Sequence, residues 1–62
     1  MVATTTRAEA LARAVEIEAE RTRGPGESLT RAVDRVLNAA TVDEATARRL
    51  AETARMLMSR AA

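Results

Sequence analysis

Gly26-Glu27-Ser28-Leu29-Thr30-Arg31-Ala32-Val33-Asp34-Arg35-Val36-Leu37 spaces its apolar residues by three and four, the period of one helix face rather than the alternation of a strand. Leu29, Ala32, Val33, Val36, Leu37 and Ala40 then form one broad stripe, the most hydrophobic in the chain. A helix over about 29–39 is expected to carry it at the centre of the fold. Glu27 and Ser28 stand in front as cap candidates, because a short oxygen-bearing side chain there accepts a free first-turn amide. Upstream, Arg23-Gly24-Pro25-Gly26 must break any preceding helix: glycine disfavours continuation, and Pro25 lacks an amide and restricts Gly24.

Working outward, Thr6 and Glu9 have the spacing of a capping box and open a first helix over about 7–22. Its expected core stripe is Ala8, Leu11, Ala12, Val15 and Ala19, with Ile17 off that line and Arg13, Glu16, Glu20 and Arg21 outside. On the other side, Thr41 and Glu44 repeat the capping-box spacing after a short connection at 38–40, predicting a third helix over about 42–60. Ala47, Leu50, Ala54, Leu57, Met58 and Ala61 line one face of it, opposite Arg48, Arg49, Glu52 and Arg55. Met56 and Met58 serve either as filler for an irregular core or as an adaptable binding surface. Residues 1–6 are mostly β-branched and read as a flexible arm or as a short strand that pairs only in a dimer. The expected fold is therefore all-α, a single small domain of three helices.

Composition narrows the function. The 62 residues include no His, Cys, Trp, Tyr or Phe, which removes the usual general bases, thiolate nucleophiles and soft metal ligands. The expectation is a non-enzyme without cofactor or metal. Of the apolar residues 15 are Ala and only 14 are larger, so little area is available for a core and association is expected, as a homodimer or as a subunit of a larger assembly. Ten Arg against nine acids leave a net charge of +1, with residues 31–62 about three charges more positive than residues 1–30. That asymmetry is too mild to announce a nucleic-acid surface by itself. No stretch has the length of a membrane span and no signal region is visible, so a cytoplasmic protein that does not enter a membrane is expected.

A short β-rich arm, a helix, a glycine turn and a second helix form an order that resembles the ribbon-helix-helix DNA-binding proteins. Residues 26–37 are similar to the turn and second helix of its antitoxin members, and Leu11-Ala12-Arg13-Ala14-Val15 to their first helix. The resemblance spans residues 2–37 and implies a paired ribbon whose Thr5 and Arg7 read bases, with Ser28 and Arg31 near a phosphate. The short arm, the longer first helix and the enlarged turn at Gly24-Pro25 depart from that pattern.

Two functions follow. The first is a small helical interaction protein (an adaptor, inhibitor or accessory subunit) that binds a protein partner through apolar helix faces, with Leu50, Ala54, Leu57 and Met58 as candidate contacts. The alternative is a ribbon-helix-helix transcriptional regulator or antitoxin whose C-terminal helix holds a toxin.

Overall fold

The structure is a computed structural model that describes residues 6–61. It is all-α, with α1 at Arg7–Thr22, α2 at Leu29–Val42 and α3 at Glu44–Ala61, and it contains no strand among the described residues. The flexible arm or short strand read at residues 1–6 falls, apart from Thr6, outside them.

The start of α1 is the expected capping box. Glu9 N donates to Thr6 Oγ1 at 3.1 Å, and Thr6 N donates to Glu9 Oε1 at 2.9 Å. After Arg23 the chain turns through Gly24-Pro25-Gly26-Glu27, closed by Glu27 N on Gly24 O at 3.1 Å. Proline at the second position and a glycine with φ of 78° at the third are what a type II turn requires. Ser28 then caps α2, its hydroxyl accepting from Arg31 N at 3.2 Å.

The junction between α2 and α3 corrects the expected one. No break occurs at 38–40 and Thr41 caps nothing: α2 continues to Val42, and the Thr41 hydroxyl donates back to Asn38 O at 2.7 Å. Asp43 performs both terminations. Its amide closes α2 on Ala39 O at 2.7 Å, while its carboxylate accepts from Ala45 N at 3.2 Å and from the Thr46 hydroxyl. Aspartate outranks threonine as a cap and adds a negative charge at the positive end of the α3 dipole, so the one-residue corner at Asp43 wins over a longer loop.

The core also differs in which residues fill it. Its buried apolar members are Ala10, Ala14, Val15, Ala19, Ala32, Val36, Leu50 and Ala54, five of them alanines. On α1 the buried face is rotated from the expected one: Ala8 and Ala12 are exposed, Leu11 is 37% exposed, and Ala10, Ala14 and Glu18 point inward. Alanines occur on two opposite sides of this helix, positions 8, 12 and 19 on one and 10 and 14 on the other, so apolar spacing alone does not choose between faces. Packing chooses the side that lets two neighbouring helix axes come close. The central helix is accordingly α1, which lies against both α3 and α2 and buries five residues, whereas α2 buries only Ala32 and Val36. With a radius of gyration of 12.3 Å against about 10.6 Å for a globular chain of this length, the molecule is elongated.

Candidate partner-binding surface

Small side chains inside imply large ones outside. Leu29, Val33 and Leu37 succeed one another at four-residue intervals along the side of α2, with Leu29 36% and Leu37 48% exposed and Val33 half-buried at the core's edge. A helix that buries Ala32 and Val36 has its next face about 60° to 140° round the axis, given a 100° turn per residue, and that face carries these three residues. Ile17, Val42 and Met56 are exposed as well, Val42 being 86% open because α2 runs on to the Asp43 corner.

Along the seam between α1 and α3 two shallow grooves open. One, of about 240 Å³, is lined by Arg7 and Leu11 of α1 and by Ala51, Ala54, Arg55 and Met58 of α3. The other, of about 290 Å³, lies between Glu9, Ala10 and Arg13 and the Leu57 side chain. The register of this seam is held further along by a polar bracket. Glu18, 8% exposed, accepts from Arg21 Nη2 at 2.8 Å and from Arg49 Nη2 at 3.1 Å. Arg49 also reaches the Thr46 hydroxyl at 3.4 Å, which links the bracket to Asp43. The Arg21 hydrogen bond above all, seconded by Arg49, holds the Glu18 carboxyl below its ordinary range, against the opposing effect of burial.

A second bracket ties α2 to the end of α1. Arg35 grips Glu27 with Nε at 3.1 Å and Nη2 at 2.9 Å, and Nη2 also donates to Thr22 O at 3.1 Å, satisfying a terminal carbonyl of α1. Glu27 takes the Gly24 amide as well, at 3.1 Å. The Arg35 hydrogen bonds, then that amide, pull the Glu27 pKa down to about 2. These side chains are engaged with one another and hold the turn in shape.

Of the residues singled out in the sequence, Leu50 and Ala54 belong to the chain's own core, at 6% and 2% exposure, and Leu57 and Met58 are half-buried at the grooves. Arg7 is exposed at the head of α1, and Ser28 and Arg31 are exposed at the head of α2. The 16-residue α1 separates these two sites by about 24 Å, so one chain does not bring them together. Thr5 lies outside the described residues. Missing from the sequence reading were Glu18 and Arg35. Glu18 follows Ala10 and Ala14 at four-residue intervals, and that spacing is the signal that could have placed it inward.

Compared with known proteins, the chain matches no family model, no curated protein and no solved structure at a significant level. No helix of the described residues is long and apolar enough to cross a membrane.

Proposed function

We propose that this chain is a small non-catalytic interaction protein that binds a protein partner through apolar helix faces. The observation that carries the proposal is the inverted distribution of its apolar side chains: alanines fill most of the core while Leu29 and Leu37 remain open on α2. Single exposed apolar residues are ordinary on any surface, but an i, i+4, i+8 row is the pattern by which a helix seats in a partner's groove. The absence of His and Cys from the sequence supports a binding role over a catalytic one.

The test places a photo-reactive residue at position 37 and, separately, introduces Leu37→Glu. Protein adducts through position 37, together with loss of a complex in Leu37→Glu at unchanged helicity, are expected. A chain that forms no adduct and sediments as a stable, cooperatively unfolding monomer at micromolar concentration defeats the proposal.

The second reading, a ribbon-helix-helix DNA-binding regulator, is favoured by one observation: Ser28 caps α2 as that family's pattern implies, leaving Arg31 exposed on the first turn. Titration with duplex DNA at low and moderate salt tests it. A dimer contacting several phosphates must release counterions, so binding that is absent even at low salt excludes this reading.

A further inference from the structure

We propose that the smaller groove on the α1–α3 seam receives an acidic amphipathic helix of the partner. This deepens the interaction proposal and rests on it. The floor consists of Ala51 and Ala54, nearly one turn apart on α3, and the apolar walls are Leu11 and Met58. Two alanines in succession leave a hollow because each side chain is a single methyl. At about 240 Å³ the hollow falls below the size of pockets that enclose a small molecule, roughly 300 Å³ and upward. It suits the inserted side chains of a helix laid along the seam, where anchors three or four residues apart meet a groove of this kind.

Charge decides the kind of helix. Arg7 and Arg55 form the rim, both exposed, and no acidic residue lines the groove. Arg13, Arg21, Arg35, Arg48 and Arg49 form ion pairs; Arg7 and Arg55 form none among the described residues, nor do Arg23, Arg31 and Arg60, which do not line the groove. The groove therefore presents uncompensated positive charge around an apolar floor. A nucleic-acid backbone would satisfy the guanidiniums but would have no use for Leu11 and Met58. A helix with carboxylates flanking an apolar row matches both, and its carboxylates accept paired N–H bonds from each guanidinium. Met58 adds an adaptable thioether wall, suited to seating side chains of different shape.

The experiment uses the full chain and a fluorescent, covalently stapled helical peptide of about four turns, with leucines at i, i+3 and i+7 flanked by glutamates. A matched peptide carries lysines in place of the glutamates. The chain is expected to bind the acidic peptide, more weakly as salt rises, and to ignore the basic one. Replacing both rim arginines by glutamine should weaken binding about tenfold, the sum of two partly exposed ion pairs. The double variant Arg7→Glu with Arg55→Glu should reverse the preference in favour of the lysine peptide. That reversal cannot arise from a failure to fold. Equal binding of both peptides, no binding at sub-millimolar concentration, or a preference unchanged by the reversal overturns the proposal. So does self-association or duplex-DNA binding that the reversal abolishes, since the groove's occupant is then a second copy or a phosphate backbone. If these failures occur while position 37 still forms protein adducts, the groove assignment falls and the interaction function stands.

Discussion

Replacing Glu18 tests whether the α1–α3 seam is held by charge or only by packing. In Glu18→Ala two charge-assisted hydrogen bonds disappear, those from Arg21 and Arg49. Bonds of this type contribute about 1.5 to 3 kcal/mol each when shielded. Here the arginine side chains are 58% and 48% exposed, so water rehydrates them and screening reduces each bond to about 0.5 to 1 kcal/mol. The expected loss is about 1 to 2 kcal/mol, and for a domain of this size each kcal/mol lowers Tm by about 4 to 8 °C. Glu18→Leu should behave differently, because an apolar side chain at an 8%-exposed site recovers about 1.5 kcal/mol or more by burial, leaving stability near that of the parent. Thermal and urea unfolding followed by circular dichroism measure both, and a double-mutant cycle with Arg49→Ala isolates the cross-helix coupling. A Glu18→Ala variant as stable as the parent, or a coupling of zero with Arg49, would refute the reasoning.

Four further outcomes are expected. Asp43→Ala should cost about 1 kcal/mol through loss of the α3 cap, while Thr41→Ala should stay within about 0.5 kcal/mol; the reverse order in urea midpoints would restore Thr41 as the cap. Val36→Asp places an unpaired charge at a 2%-exposed site and should cost several kcal/mol, so retained helicity and Tm in this variant would show the α2 inner face to be open. Gly26→Ala forces a side chain to a φ of 78° and should lose about 1 kcal/mol in denaturant unfolding. On acidification, the folded-state pKa values of Glu9, Glu18, Glu27 and Asp43 all lie below their ordinary range, so their stabilisation is full above that range and is lost progressively as pH falls from it to the folded values, for Glu27 from about 4.5 down to about 2. Tm should therefore decline from about pH 5 downward, and Glu27→Gln should make that decline shallower down to about pH 2; a Tm independent of pH over that interval would contradict these shifts.

Three helices, the Thr6–Glu9 box, the Ser28 cap and the glycine turn at Gly24-Pro25-Gly26 were legible in the sequence because each is a local interaction spanning three or four residues. Local spacing pointed to the wrong cap between α2 and α3: Thr41 and Glu44 stand at the capping-box interval, but Asp43 also precedes helix-forming residues. Asp43 prevails because a single corner residue can terminate one helix and start the next. The face that α1 buries was only partly legible: Val15 and Ala19 lie inside as expected, but with alanine at positions 8 and 12 on one side and 10 and 14 on the other, two stripes satisfy helical spacing equally well. Only the approach of α2 and α3 from two sides selects Ala10 and Ala14 over Ala8 and Ala12, and it leaves Leu11 at the rim of a groove. The same approach carries Glu18 inward to Arg49, 31 positions away in the chain, and sets Arg7 and Arg55 across one groove. Contacts at such separations leave no periodic trace in a sequence, because they depend on where three helix axes come to rest rather than on the spacing within any one of them.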